Sequence, residues 1–381
     1  MAPELVEAFP PGDFLSEELE ARHWSQSDFA QILGRPAQFV SEIIAGKKEI
    51  TRESAAQIGA ALGTGPEYWL NLQNSYLLWS QSQNAATRKE LDEVKLRARM
   101  NELAPVSLLL KRGILTGRSL EEQESELVDL FQIQHIEDTP RFLAAARRSN
   151  RDEEPTPTQK AWLACARKHA QKLQVSKYDA EGLTRLAERL SRVVSAPENF
   201  AKLPDEFASV GVRIVYVEAF PGSKLNGASF LLDDDTRRPV IALSGRGKRL
   251  DVVLFTLLHE VAHILLGHVT PERLVIDEDT SSEPTELAAD EKAGEWQIPG
   301  GLPTPPAAVR RGWIDSNAQR IGIHPVVVLG RLQRDKALDY RTALAKGAPT
   351  VNAHLERWSQ STLPSNILSV SSGARRSRPD S

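Results

Sequence analysis

The sequence predicts a mainly α protein with a smaller α+β domain in its C-terminal half. Three observations lead there. Residues 1–83 are short helical patterns separated by Gly and Pro, and residues 84–200 are longer, charged helical sequence. From residue 201, alternating strand patterns lead into one apolar helix that carries His259-Glu260-Val261-Ala262-His263. The expected order is a five-helix bundle (1–83), a helical connector (84–200), a small mixed sheet packed on the His-Glu-x-x-His helix (201–340), and a C-terminal helix with a disordered tail (341–381).

Composition narrows the class. Of 381 residues, 41% are hydrophobic and 26% charged, which suits a globular chain of two or three domains. Cys165 is the single cysteine, so no disulfide framework exists and a reducing cytoplasm is expected. No charged-then-apolar N-terminal signal stands out, and no uncharged apolar run reaches the ~18 residues of a membrane span, so no membrane partner is expected. The net charge of −4 selects no partner class.

In the first segment, Asp13 to Arg22 has helical periodicity, and Ser25-Gln26-Ser27-Asp28 offers a capping box for a second helix, Gln26 to Leu33. Gly34 makes a turn, Pro36 suits the first position of a third helix to about Ala45, and Gly46 stops it. Thr51 caps a fourth helix closed by Gly63, and Pro66 opens a fifth. The second and third helices have helix-turn-helix spacing, with the third presented to the major groove. Ser41-Glu42-Ile43-Ile44-Ala45-Gly46-Lys47 and Tyr68-Trp69-Leu70-Asn71-Leu72-Gln73 are the closest matches in a stretch that resembles the HigA-type antitoxins of the Xre helix-turn-helix superfamily. The resemblance implies DNA binding and a toxin as partner, and the recognition-helix reading implies a homodimer on a near-palindromic operator. The candidate DNA contacts are Arg35, Gln38, Ser41, Lys47 and Lys48 at the recognition helix, with Gln26 where phosphates are commonly met. Charge pulls the other way. Residues 1–84 hold five Lys or Arg against eleven Asp or Glu, a net −6, whereas DNA-binding domains usually carry a basic footprint. A bundle kept for dimerisation or partner binding is the alternative.

The middle segment says less. Leu91 to Met100, Glu121 to Phe131, Thr158 to Leu173 and Ala180 to Val194 read as helices, and Arg151 to Pro157 as an exposed loop. Trp162, Cys165 and His169 share a helical face and read as a packed core stripe; lone His135 and His354 are treated alike.

The strongest signal is His259-Glu260-Val261-Ala262-His263. At ~3.6 residues per turn, both imidazoles leave one helix face and can reach a single metal, while Glu260 can act on metal-bound water as general base. The helix around them is apolar nearly all round, so it is expected to be buried, where unpartnered His and Glu would be costly. A zinc hydrolase needs a third protein ligand and an open position. Glu286, on a helix from Thr285 to Gly294 started by Pro284, is the best candidate, with Asp290 or Glu291 as alternatives. His268 lies off the ligand face, in a supporting or surface role. Val212 to Glu218 reads as a strand, and Ala228 to Leu232 with Pro239 to Leu243 as a hairpin around Asp233-Asp234-Asp235. Gly227, Ala228, Ser229 and Phe230 are the expected edge that aligns a peptide by backbone pairing.

From about Leu203 to Leu338 the chain resembles the ImmA/IrrE-type zinc metallopeptidases. The match rests on Gly211 to Val217 with Gly227-Ala228-Ser229-Phe230, on Pro239 to Leu243 leading into Phe255 to Glu260, on Glu286-x-x-Ala289-Asp290, and on Ile321 to Gln333. One departure is Lys292-Ala293 where the family usually has Phe-Ala, followed by Trp296-Gln297 in place of aliphatic residues. The resemblance implies a zincin-like fold, Zn2+ on His259, His263 and Glu286, and Glu260 as base. The expected function is a DNA-binding regulator or antitoxin-like protein whose peptidase domain cleaves a specific regulatory protein. The competing class is a non-enzymatic antitoxin or repressor whose zinc-peptidase fold senses or binds a partner.

Overall fold

Ser25 and Thr51 each accept a hydrogen bond from the backbone N–H three residues on, and Asp28 and Ser54 return the bond to the cap's own N–H. Those reciprocal caps start the helices Gln26–Leu33 and Arg52–Leu62 of the first unit. In the computed structural model, which describes residues 7–143, 154–271, 273–278 and 283–360, the chain divides into two compact units, Met1–Ala98 and Arg99–Ser381. The first contains α1 (Pro11–Ala21), α2 (Gln26–Leu33), α3 (Ala37–Ile44), α4 (Arg52–Leu62) and α5 (Pro66–Gln83), and the unit ends within α6 (Ala85–Leu103). Pro36 proves to be the N-cap of α3 and not its first helical residue: its ψ of 145° is extended. Gly34 and Gly63, at φ 64° and 75°, close α2 and α4 in the left-handed region that glycine enters without cost.

Leu15, Leu19, Phe29, Val40, Ile43, Ile58 and Trp69 fill the core of this bundle. Gly12 lets α1 approach the end of α3, since a Cβ there would overlap the Ile44 carbonyl. Buried Gln73 pairs with both backbone groups of Ile50, accepting from its N–H and donating to its carbonyl oxygen at 3.1 Å, so the α3–α4 loop is held without a strand.

The second unit is built on a four-stranded mixed sheet of β1 (Arg213–Tyr216), β2 (Leu225–Leu231), β3 (Pro239–Leu243) and β4 (Val275–Glu278), in the order β1-β3-β2-β4. β1 and β3 are parallel, with Ile214 opposite Ile241, and β2 is antiparallel to β3 and β4. The hairpin forms as expected around a tight turn in which Asp233 and Asp234 take positive φ. One expectation fails. Gly227 to Phe230 are not an edge: β4 occupies the far side of β2, pairing Ala228 with Ile276 and Ser229 with Val275. The consecutive buried Leu274, Val275 and Ile276 anchor that short strand, leaving β4 and β1 at the margins of the sheet.

Around the sheet lie α7 (Val106–Lys111), α8 (Leu120–Phe131), α9 (Pro157–Gln171), α10 (Ala180–Val193), α11 (Leu203–Ser209), α12 (Leu250–Leu265), α13 (Pro284–Gln297), α14 (Arg311–Ile321), α15 (Pro325–Arg334) and α16 (Asn352–Gln360). The middle segment from Arg99 onward belongs to this unit. Trp162 and Gln159 on α9 donate to the carbonyls of Val217 and Ser223, at 2.8 and 3.1 Å. The i, i+3, i+4, i+7 face of α10 (Leu183, Leu186, Ala187, Leu190) shares one core with Leu254, Leu257, Leu258 and Val261 of α12. Arg151 to Glu153 of the expected loop and residues 361–381 of the expected tail lie outside the described residues. Among the described residues no helix is long and apolar enough to cross a membrane.

Of the stripe of Trp162, Cys165 and His169 on α9, the first two are buried as expected of core residues, and His169 is half-buried. Burial, with Lys172 and Lys168 nearby, pushes the His169 imidazole down from 6.5 to about 4. The unfolded chain therefore binds this proton at a higher pH than the folded one, so stability present above pH 6.5 is lost as pH falls toward 4. His169→Gln should flatten the denaturation profile across that window, by on the order of 2 kcal/mol at its acid end. An unchanged slope in urea titrations of the variant would contradict this origin.

Candidate metal centre and nucleic-acid interface

The helix α12 buries the residues from Val253 to His263, so the polar groups in that stretch need partners inside the protein. At its first turn the buried Asp251 carboxylate receives a two-pronged Arg249 guanidinium, which also donates to Gln333 on α15 at 2.7 Å. Gly330 makes room for that cluster, because a side chain there would overlap Asp251.

Two turns further along, His259, Glu260 and His263 are 3%, 0% and 0% exposed. The partners come from α13. Pro284 starts that helix, and Ala289 and Ala293, both fully buried, let it lie close against α12. Glu286 Oε2 stands 3.2 Å from His259 Nε2 and 3.5 Å from His263 Nε2, and the two Nε2 atoms are 2.9 Å apart. One ligand atom from each of His259, His263 and Glu286 lies within 4.8 Å of the other two, a donor set able to share a metal ion.

The other candidate carboxylates have different places. Asp290, one turn beyond Glu286, meets the opposite ring nitrogen of His259, with Oδ1 2.9 Å from Nδ1, and Glu291 is exposed. His268 stands behind His263 in the same manner, with 3.0 Å between their Nδ1 atoms. Each histidine of the cluster thus has a second group that fixes its ring and tautomer. Burial disfavours the Glu286 carboxylate, but hydrogen bonds to His259 and His263 outweigh it and hold the group down at about 2. Burial also pushes His263 and His268 below the ordinary histidine range, so both favour the neutral form that binds metals.

Glu260 is held from the sheet side. Ser229 Oγ donates to Glu260 Oε2 at 2.5 Å, and a Cβ at Gly227 would lie 2.6 Å from Oε1. Gly227 and Ser229, expected to meet a peptide, thus line the motif's own glutamate. The signal in the sequence was a Gly-x-Ser spaced to share one strand face, but which face met the helix depended on distant pairing. The Lys292 departure is accommodated: its ammonium sits 5.3 Å from the Trp296 ring centre, and Gln297 donates to the Asp251 carbonyl at 3.0 Å.

In the first unit, Gln38 and Ser41 lie exposed on α3, on the side away from buried Val40 and Ile43. Gln38 Nε2 donates to Glu42 at 2.7 Å, and Gln26 is exposed at the start of α2. Arg35 is occupied, donating from Nε to Gln57 at 3.1 Å and pairing with Glu53. Lys48 lies 3.6 Å from Glu42, and both Lys48 and Arg35 sit over the Phe39 ring, while Lys47 is exposed. Intramolecular carboxylates thus engage two of the expected cations.

The helix-turn-helix family model matches residues 15–69, and the IrrE N-terminal-like domain of the peptidase M78 family matches residues 210–333. The uncharacterized HTH-type transcriptional regulator YddM of Escherichia coli (strain K12) is 32% identical over 87 residues, 23% of this chain and 86% of the relative. The chain belongs to the helix-turn-helix family. This helix-turn-helix protein joins that domain to an IrrE N-terminal-like domain in one polypeptide. An uncharacterized HTH-type transcriptional regulator of Haemophilus influenzae is 38% identical over 85 residues, 22% of this chain and 79% of its own length. Among solved structures, an addiction module antidote protein of the HigA family from Coxiella burnetii shares 31% identity, covering 22% of this chain and 94% of that one, with a TM-score of 0.21.

The arrangement places Glu286 at the imidazole Nε2 atoms, and Asp290 and His268 at the Nδ1 atoms behind them. Glu286→Ala should abolish retention of a divalent metal against a chelator. Asp290→Ala should weaken it by roughly 10–100-fold, because the ligands remain and only the ring of His259 is released. Metal analysis after graded chelator dialysis distinguishes these; equal retention by wild type and Glu286→Ala would remove Glu286 from the ligand set.

Proposed function

We propose that this protein is a cytoplasmic DNA-binding regulator whose second unit is a zinc-dependent endopeptidase acting on a specific regulatory protein. The observation that carries the reading is the cluster of buried His259 and His263 with half-buried Glu286 from α13, beside Glu260 on the apolar helix α12. The donor set fits Zn2+: two imidazoles, of which buried His263 favours the neutral form, and a carboxylate held ionised, on rings braced by Asp290 and His268. Zinc, when bound, supplies a Lewis acid that acidifies water and polarises a carbonyl. His259, His263 and Glu286 would hold it. Glu260 serves as general base and then returns the proton to the leaving amine. An extended peptide aligns along β4, which lies at the margin of the sheet where β2 does not.

The first unit directs this activity to DNA. In this reading α3 enters the major groove, Gln38 and Ser41 face bases, and Gln26, Arg35, Lys47 and Lys48 set the position on the backbone. A homodimer on a near-palindromic operator is the arrangement proposed, with a toxin or other regulatory protein as substrate or partner. Net charge of −6 over residues 1–84 implies few phosphate contacts, weak non-specific binding and a shallow salt dependence. The complete burial of Glu260 favours a second reading, in which the zinc fold binds or senses a partner without cleaving it.

Footprinting on the protein's own promoter region tests the first half. Gln38→Ala should lose about tenfold or more in affinity, as expected for a base contact, while Lys89→Ala outside the motif protects as wild type does. Identical protection by both variants would reduce the first unit to a partner-binding bundle. For the second half, Glu260→Gln should keep its zinc and leave intact a co-expressed regulatory protein that the wild type cleaves. A partner left whole by wild type and variant alike would favour the sensor reading.

A further inference from the structure

We infer that β2 provides the seat for the Glu260 carboxylate and that Ser229 is the residue that positions it, an inference that rests on the peptidase reading above. Ser229 and Glu260 are both fully buried, and the Ser229 hydroxyl lies 2.5 Å from Glu260 Oε2 and 3.2 Å from the Glu260 carbonyl oxygen. Two residues earlier on the same strand face, Gly227 leaves open the space beside the other carboxylate oxygen. A Cβ at Gly227 would lie 2.6 Å from Oε1, 3.0 Å from Thr256 Cγ2 and 3.2 Å from the Ala242 carbonyl oxygen. One oxygen is therefore held by a donor, and the other is admitted by the missing side chain.

The seat is rigid because of where it sits in the sheet. Ser229 is paired on one side with Ile241 of β3 and on the other with Val275 of β4. Its hydroxyl cannot shift far without disturbing two ladders. A hydrogen bond from a neutral hydroxyl to a buried carboxylate is stronger than a neutral pair, so it selects one rotamer of Glu260 and keeps it beside the histidine cluster. Sheet and helix are thus linked at the level of the proposed base: a shift of β2 displaces Glu260 without moving His259 or His263 along α12.

The test uses the full-length protein and cobalt(II) as the metal probe. Ser229→Ala and Gly227→Ala should bind cobalt in the wild-type ratio but change its visible absorption envelope, and Ser229→Thr, which keeps the hydroxyl, should restore it. In parallel, Ser229→Ala should lower the thermal midpoint in the wild-type background and lose more than half of that shift in a Glu260→Met background. A midpoint shift of equal size in both backgrounds, or a cobalt spectrum unchanged by Ser229→Ala, would overturn the inference. If the wild-type chain takes up no cobalt, the metallopeptidase reading falls, and the double-mutant cycle alone decides whether Ser229 acts through Glu260.

Discussion

Two imidazoles and a carboxylate in the buried stretch of one helix impose the constraint on which the second unit depends. Leaving them without partners in the interior would cost several kcal/mol. The surrounding elements answer it. α13 brings Glu286 and Asp290 one turn apart, and its Ala289 and Ala293 face permits the close approach that puts Glu286 near both rings. The sheet answers for Glu260 through Ser229 and Gly227, and the loop after α12 returns His268 to the back of His263. At the other end of the helix, Arg249 satisfies the Asp251 carboxylate and is itself held by Gln333, with Gly330 leaving the space. For His259, Glu260 and His263, satisfying these groups and assembling the site are the same event, which explains how a helix so apolar carries them buried.

What the sequence showed and what it hid follow from the range of the interactions. Caps at Ser25 and Thr51, glycine stops at Gly34 and Gly63, and the i, i+4 histidines are local, so the helices and the paired imidazoles were legible residue by residue. Glu286 was distinguishable from Asp290 only in three dimensions. Both lie on one helix face, and the choice was made by which His259 nitrogen each one meets. The error at Gly227 to Phe230 has a similar source. β4 is four residues long and ends in Asp277 and Glu278, a pattern without strand alternation, so nothing local announced that it would cover the outer side of β2. Once β2 is an interior strand, its Gly-x-Ser face belongs to Glu260.

The first unit shows a different balance. Its core and caps are those of a self-sufficient bundle, but its acidic surface draws Arg35 to Glu53 and Lys48 to Glu42. Exposed ion pairs of this kind are worth little, typically under about 1 kcal/mol, so a phosphate can compete for either cation. Gln38 and Ser41 need no such exchange, being already exposed on α3. Recognition by a few neutral contacts, with little help from bulk charge, is the physical character that this arrangement implies.

The central claim, that His259, His263 and Glu286 form one zinc site, is tested most directly by anomalous diffraction at the zinc edge from crystals of the full-length protein grown without a chelator. The account predicts one strong zinc peak per chain, bounded by the Nε2 atoms of His259 and His263 and by a Glu286 oxygen, with Asp290 on the far side of the His259 ring. An intact fold with no zinc peak there, or a peak ligated by Asp290 in place of Glu286, would contradict it.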